Sequence, residues 1–167
     1  MLIRQEKAED YEAVYHVVQE AFRNAEYTDG NEQNLVVALR KSKAFIPELS
    51  LVAVEDQRVV GYILFTKAVV NGVQVLALAL LAVLPEYQNR GIGLDLIAEG
   101  HRAARSYGYS VVLGHPQYYP KAGYLPASRY GIRAPFPVAD ENFMVICLNA
   151  EPKPLDGIME YDPAFGI

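Results

Sequence analysis

Residues 83–97, VLPEYQNRGIGLDLI, end an apolar run at a proline, continue through a charged turn with two glycines, and become apolar again. This pattern predicts a strand, a tight turn and the start of a helix. Such a turn directs unpaired N–H groups and the helix dipole at one point, which suits a phosphate or pyrophosphate. Gly91 and Gly93 would allow close approach, Arg90 would add charge, and Gln88 could donate a hydrogen bond. The alternative is that the glycines only begin a helix.

Two common phosphate-binding loops can be excluded. A dinucleotide fingerprint has a third small residue where this chain has Leu96, and an acidic residue after the next strand, where residues 114–116 read GHP. A P-loop has Gly-Lys followed by Ser or Thr, which this chain lacks. These departures weaken the interpretation of the chain as a regulatory nucleotide-binding domain.

The segment before the turn is predicted to hold three successive antiparallel strands. Leu51–Val54 and Val59–Val70 are rich in β-branched and aromatic residues and flank Asp56-Gln57, a predicted turn. Asn71-Gly72, a strong hairpin signal, then leads into Val73–Leu84.

The last of these strands contains an irregularity. Leucines alternate with alanines from Leu76 to Leu80, but the large residues then continue at Leu81 and Val83, so the period of two slips by one residue. A β-bulge at Leu80-Leu81 would produce this slip, and bulges unpair backbone groups beside active sites. The alternative is that both leucines pack in a sheet that is covered on both faces.

The rest of the chain mixes short helices and strands. Helical spacing predicts a first helix over Glu9–Phe22 and a shorter one around Leu35–Leu39. Short strands are predicted at Ser110–Leu113 and Phe143–Leu148, and Gln117–Ala122 could form one or two helical turns. The proline-containing tail is expected to be largely irregular. Strands outnumber helices and most form hairpins, which is typical of an α+β protein.

Composition narrows the classes of function. The 167 residues are 51% hydrophobic, carry a net charge of −5 and contain no linker or repeat, so we expect a single domain over residues 1–167 and no nucleic-acid partner. The longest apolar run, Val75–Leu84, is about half of the roughly 20 residues needed to cross a bilayer, so no membrane partner is expected. One cysteine, Cys147, is expected to be a buried thiol, and a cytoplasmic location fits.

Two blocks of this sequence resemble one family. LAVLPEYQNRGIGLDLI, from Leu81, is similar to the acetyl-CoA signature of the GNAT superfamily of N-acetyltransferases, Gln/Arg-x-x-Gly-x-Gly/Ala after a bulged strand, and Gln88 to Gly93 fill it without a gap. GHPQYYPKAGYLPA resembles a later block, in which a tyrosine lies four residues before a Gly-aromatic pair, as Tyr119 does before Gly123-Tyr124. With ENFMVICL and the closing Tyr-Asp-Pro-Ala-Phe, these blocks resemble the bacterial YhbS-like subfamily over nearly the whole chain.

The resemblance implies a fold and a cosubstrate. It implies a GNAT-type mixed, mostly antiparallel sheet, with a bulged and splayed central strand and helices on both faces. Acetyl-CoA would bind without a metal ion, its pantetheine arm between the strand that ends at Val83 and the strand at Val111–Gly114. Its pyrophosphate would bind the amides of Arg90–Gly93. The implied cofactor-binding residues are Leu81, Ala82, Val83, Gln88, Asn89, Arg90, Gly91, Ile92, Gly93 and Tyr119.

The same resemblance implies direct transfer to an amine. Tyr119 matches the family's general acid, and a phenol with an ordinary pKa of about 10 stays protonated at neutral pH. The base is not matched, because the glutamate of many relatives is replaced by apolar residues on the bulged strand. His115 is a tentative base, with a turn residue as the alternative, and Glu32 is a weaker candidate that could simply begin the second helix. A water chain could also serve.

The expected function is therefore an acetyl-CoA-dependent N-acetyltransferase acting on a small-molecule or peptidyl amine. A non-catalytic acyl-CoA-binding or sensing module is the alternative, although binding alone needs no proton donor such as Tyr119. The acidic balance could favour cationic acceptors such as polyamines, aminoglycosides or lysine side chains, but it is also ordinary solubility charge. The apolar strand near the C-terminus could pair in a homodimer or simply close its own sheet.

Overall fold

A computed structural model describes residues 1–25, 28–149 and 151–167 of the chain. The longer helices are α1 (Tyr11–Phe22), α2 (Glu32–Arg40) and α3 (Ile92–Ala103). The strands are β1 (Leu2–Gln5), β2 (Phe45–Glu55), β3 (Arg58–Val70), β4 (Val73–Val83), β5 (Tyr109–Leu113), β6 (Leu125–Pro126), β7 (Ile132–Arg133), β8 (Phe143–Cys147) and β9 (Gly157–Glu160). Short 3₁₀ helices include Pro85–Tyr87 and Tyr119–Ala122.

The strands form a mostly antiparallel sheet in the order β1-β2-β3-β4-β5-β8-β6. The one parallel pair in this described order is β4 with β5, because α3 lies between them in the chain and carries it back across the sheet. Strand β9 adds to the end of β3 and also pairs with β7. The prediction of a mixed, mostly antiparallel sheet is therefore confirmed.

Two tight turns join the three long central strands. Asn71 and Gly72 have φ values of 48° and 75°, and Asp56 and Gln57 have φ values of 50° and 65°. Positive φ at both central residues matches the right-handed twist of the flanking strands, which is why Asn-Gly favours this turn. Both predicted hairpins are present, and β2 begins at Phe45, earlier than the sequence indicated.

Strand β4 contains a bulge, but its position differs from the prediction at Leu80-Leu81. Leu80 pairs with Leu64 and Leu78 with Phe65, so the extra, unpaired residue is Ala79. Leu80 is 5% exposed and Leu81 is half-buried against the core from the other side, so the sheet is indeed covered on both faces here. The slip in the leucine pattern lies downstream of the bulge because both faces require large apolar side chains after it.

The helices pack on opposite faces of the sheet, as predicted. A Cβ added to Gly61 of β3 would lie 3.1 Å from Leu96 Cδ1, so this position faces α3. The next residue, Tyr62, points the other way because side chains alternate along a strand. Its hydroxyl hydrogen-bonds with Ser50, which leads to a buried ion pair that includes Arg40 of α2. We call these two sides the α3 face and the α1–α2 face.

The buried ion pair fixes α2 to the sheet. Arg40 Nε donates to Glu6 at 3.1 Å, and the two side chains are 10% and 2% exposed. Ser50 donates to the same carboxylate at 2.9 Å, and the guanidinium of Arg40 lies 4.0 Å from the ring centre of Tyr11 in α1. Each polar group is therefore satisfied by partners from different elements, as a buried charge requires.

The described part of the tail is largely irregular, as expected, apart from β9 (Gly157–Glu160), which pairs with β3 and β7, and a 3₁₀ turn at Pro163–Phe165. The expectation of a buried thiol was wrong. Cys147 is half-buried and not fully enclosed, and its thiol donates to the carbonyl of Asn149 at 3.2 Å.

We predict that Arg40→Met lowers the free energy of unfolding by about 3 kcal/mol or more, because Glu6 would remain buried without its counterion. Arg102 pairs with Glu99 at a similar distance, but these side chains are 68% and 37% exposed, so Arg102→Met should cost less than about 1 kcal/mol. Urea unfolding of the two variants measures the difference. Equally small losses would show that the buried pair does not anchor α2.

Candidate active site

A groove of about 660 Å³ opens where β4 and β5 separate. The two strands pair only at Leu76 with Ser110 and at Ala77 with Val111, and then diverge. Beyond these pairs β5 continues beside β8, and the β4 edge from Leu78 to Val83 is left without β5 as a neighbour. The prediction of a splayed central strand is therefore confirmed. The volume of the groove is typical of a ligand site.

The groove passes between the two faces of the sheet. Leu81 and Val83 of β4 pair with Ile63 and Gly61, so their side chains point to the α3 face. Leu80 also lines the groove but points to the α1–α2 face, where Phe22 and Leu35 add to the wall. These last two residues were not predicted, because helices far apart in sequence contribute them.

The glycine turn forms the α3 end of the groove. Asn89 and Gly91 have φ values of 63° and 83°, and Gly91 is the N-cap of α3. Within the described residues, no hydrogen bond is donated by the main-chain amides from Asn89 to Gly93. Nothing lies within 4 Å of a Cβ added at Gly91, so open space adjoins these donors. The geometry suits an anion at a helix N-terminus.

Eight of the ten predicted cofactor-binding residues line the groove, and Arg90 and Ala82 are not among the lining residues. The groove is lined by Leu81, Val83, Gln88, Asn89, Gly91, Ile92, Gly93 and Tyr119. Gln88 donates its side-chain amide to the carbonyl of Val83 at 3.0 Å, and the guanidinium of Arg90 lies 5.1 Å from the ring centre of Tyr87. Ala82 is 3% exposed and points into the core, so only its main chain could meet a ligand.

Tyr119 lies beside the gap on the α3 face. Its ring meets those of Tyr118 and Tyr124 edge-on, with centroid distances of 5.1 Å and 5.8 Å. A Cβ at Gly114 would lie 2.3 Å from the Tyr119 ring, so only glycine leaves room for this packing. Burial raises the pKa of Tyr119, and Tyr118 raises it further. Its hydroxyl bonds to no residue that the structure describes, and the phenol is protonated at neutral pH.

Tyr124 is fixed from beneath by a buried network. Its hydroxyl hydrogen-bonds with Ser110 Oγ at 2.8 Å and with His101 Nε2 at 2.9 Å. The network ties α3 and β5 to the segment that carries Tyr119. Burial lowers the pKa of His101 to about 4, so its imidazole is neutral at pH 7. The sequence did not indicate that His101 contacts Tyr124, because this contact depends on the fold of residues 110–124.

The two candidate bases line the groove in different states. His115 Nδ1 accepts the main-chain N–H of Gln117 at 3.1 Å, so the lone pair of that ring nitrogen is engaged. Glu32 begins α2, and its carboxylate accepts the Thr28 hydroxyl at 2.6 Å and the Asp29 amide at 3.3 Å. These bonds hold Glu32 in place and leave lone pairs free.

A family model described as the acetyltransferase (GNAT) family matches residues 11–120. The chain belongs to that family. The match includes the glycine turn and ends one residue after Tyr119, so the resemblance deduced from the two sequence blocks is confirmed.

Similar proteins extend over most of the chain. It is 40% identical to the uncharacterized N-acetyltransferase YjhQ of Escherichia coli, over 75% of each chain. It is 30% identical to the uncharacterized N-acetyltransferase YhbS of the same organism, over 99% of this chain and 98% of the relative. The predicted YhbS-like subfamily and enzyme class therefore agree with these relatives.

Two solved structures share the fold. A GNAT family acetyltransferase from Brucella melitensis, crystallised with acetyl-CoA, matches with a TM-score of 0.79 and 31% identity, over 98% of this chain and 97% of its own. YhbS from Escherichia coli, crystallised with CoA, matches with a TM-score of 0.86 and 27% identity, over 99% and 92%.

Among the described residues, none of the helices has both the length and the apolar character that crossing a bilayer requires.

We predict that the protein loses stability between about pH 6.5 and pH 4 partly through His101. In this window the unfolded chain binds a proton that the folded chain does not, so the free energy of unfolding falls as the pH is lowered. His101→Gln does not titrate and keeps a polar group for Tyr124, so its loss across the window should be smaller. Urea unfolding at several pH values measures this, and identical profiles would contradict it.

Proposed function

We propose that the protein transfers the acetyl group of acetyl-CoA to an amine by direct, sequential attack. The observation that carries this proposal is the set of free amides from Asn89 to Gly93 at one end of a groove that continues between two separated strands. A pyrophosphate at the turn would leave the pantetheine arm to follow the edge of β4. The acetyl-CoA and CoA in the two related crystal structures support the same cosubstrate.

The turn and the edge of β4 fit this cosubstrate chemically. Five main-chain donors at a helix N-terminus, next to open space at Gly91, match the charge of a pyrophosphate. Arg90 adds positive charge beside them. The edge from Leu78 to Val83, with the bulge at Ala79, offers main-chain groups to the amides of a pantetheine arm, in the manner of an added strand.

Acetyl-CoA would supply an activated acetyl group. The chain would then have to position the amine, accept a proton from it and donate a proton to the departing thiolate. Tyr119 would protonate the departing thiolate, since its raised pKa keeps the hydroxyl protonated and that hydroxyl is free of other described partners. The unpaired main-chain donors of β4 would polarise the thioester carbonyl.

The proton of the amine would pass to Glu32 or to water in the groove. His115, the other proposed base, would accept a proton at Nδ1 only by losing its bond with Gln117. The carboxylate of Glu32 has lone pairs left after its contacts with Thr28 and Asp29. Pairing in a homodimer and a cytoplasmic location stay predictions.

We predict that Gly91→Glu weakens acetyl-CoA binding by more than about tenfold relative to Gly91→Ala. Both variants place a side chain at a positive φ, so they share the backbone strain of about 1 kcal/mol, but only glutamate adds negative charge beside the free amides. Isothermal titration of acetyl-CoA measures the affinities, and circular dichroism checks the folds. Equal affinities would mean that the turn only begins α3.

We predict that Tyr119→Phe lowers kcat by about 100-fold while KM for acetyl-CoA changes less than threefold, because the ring packing stays and only the proton donor is lost. Tyr161→Phe is the matched control: burial also raises the pKa of Tyr161, which packs against Phe165 away from the groove. Equal losses in both variants would remove Tyr119 from the mechanism. Acetyl-CoA binding without turnover of any amine would favour the non-catalytic acyl-CoA-binding module.

A further inference from the structure

The α1–α2 face of the groove has a lining unlike that of the α3 end. Five groove residues belong to this face. Three lie at the ends of α1 and α2, and the strand pairing with side-chain alternation assigns the other two: Phe22, Glu32, Leu35, Leu80 and Leu113. We call them the acceptor wall, because a cosubstrate bound at the α3 turn would present its acetyl group to them through the gap.

The assignment of Leu113 follows from its strand. Ser110 of β5 faces α3, since its hydroxyl meets Tyr124, which in turn contacts His101 of α3. Strand β5 pairs with β8 without a register shift, so Leu113, three residues later, points to the opposite face. It is 51% exposed at the end of the strand, where a ligand could cover it.

Four members of the acceptor wall are apolar. Phe22 and Leu35 are half-buried, Leu80 is nearly enclosed, and Leu113 is open to the groove. An apolar ligand that covers this surface removes it from water, which is favourable by about 25 cal/mol for each Å². A polyhydroxylated ligand would instead give up bonds to water and find few polar groups in return.

The acceptor wall, as defined from the described residues, carries one carboxylate. Among the groove-lining residues that the structure describes, Glu32 is the only acidic one, and Lys121 is a cation on the same groove. Thr28 and Asp29 hold the Glu32 carboxylate at the start of α2. One ammonium group of a ligand can therefore pair with the Glu32 carboxylate. Any further ammonium group would lose water without gaining a counterion, and it would lie near the positive charge of Lys121.

We propose that the acceptor is a primary amine with one positive charge on an apolar or aromatic body, bound with its nitrogen toward Glu32 and its body against Phe22, Leu35 and Leu113. This inference rests on the proposed acetyl transfer. The ammonium first loses one proton to Glu32 or to water, and the neutral nitrogen forms a bond to the acetyl carbonyl carbon as the C–S bond breaks. The acylated nitrogen loses a second proton to water and the sulfur takes one from Tyr119, so the products are an N-substituted acetamide, CoA with a free thiol and one proton released to solvent.

The test compares four amines in the wild-type protein. Hexylamine and 2-phenylethylamine have one charge on an apolar body, whereas spermidine and kanamycin carry several charges. Release of the CoA thiol measures kcat/KM for each at saturating acetyl-CoA. The expected result is a value at least about tenfold higher for one of the two apolar amines than for spermidine and kanamycin. Equal or higher values for spermidine or kanamycin would overturn the proposed acceptor class.

Two variants with matched controls test the wall itself. Leu113→Ser should lower kcat/KM for hexylamine about tenfold, while Leu125→Ser, at a leucine 42% exposed outside the groove, should change it less than twofold. Glu32→Gln should lower kcat/KM for hexylamine by about tenfold or more, because the same carboxylate is the counterion and a proposed proton acceptor, and it should leave KM for acetyl-CoA unchanged. The control is Glu48→Gln, since Glu48 is an exposed residue of β2. Variants no different from their controls would contradict the assignment of the wall.

Titration of acetyl-CoA separates this inference from the proposed function. If acetyl-CoA does not bind, the proposed function fails and the acceptor class fails with it. If acetyl-CoA binds and spermidine or kanamycin is the better acceptor, the transferase proposal stands and only the acceptor class is overturned. Binding without turnover of either apolar amine also overturns the acceptor class.

Discussion

The separation of β4 from β5 is the constraint on which the rest of the site depends. Parallel strands that pair at two positions and then diverge leave main-chain groups of β4 unpaired and open a passage through the sheet. The bulge at Ala79 lies on this edge and places Leu78 and Leu80, which are two residues apart, on opposite faces. The glycine turn, which follows β4 directly, therefore stands at the mouth of the passage, and the segment after β5 brings Tyr119 to its side. Helices on both faces bury the surrounding sheet.

Local sequence was sufficient to predict the elements whose geometry is set locally. Asn71-Gly72 specifies a two-residue hairpin because its positive φ values suit few other residues. The turn also sets where the two flanking strands begin to pair. Strands of two to four residues, such as β6, β7 and β9, carry no such pattern, since tertiary pairing defines them. The bulge was detected but misplaced, because leucines on a sheet covered on both faces do not report which residue lacks a partner.

The site divides in the same way. Its α3 end is one continuous motif, so Gln88 to Gly93 could be predicted to lie together. The acceptor wall is assembled from α1, α2, β4 and β5, which have no common signature in sequence. Side-chain partners were equally hidden: Gln88 bonds to Val83, His115 to Gln117, and Tyr124 to His101 and Ser110. Such contacts depend on distances between elements, and a residue type alone does not determine them.

Because the groove opens on both faces of the sheet, substitutions on the α1–α2 face and substitutions in the glycine turn affect different parts of it. Residues of α1 and α2 contribute nothing to the glycine turn, which is built within one loop and one helix end. Substitutions on the α1–α2 face can alter shape and charge there without straining the backbone of Asn89 and Gly91. Duplicated genes with this fold could thus vary the side chains on one side of the sheet while the turn on the opposite side keeps its backbone geometry.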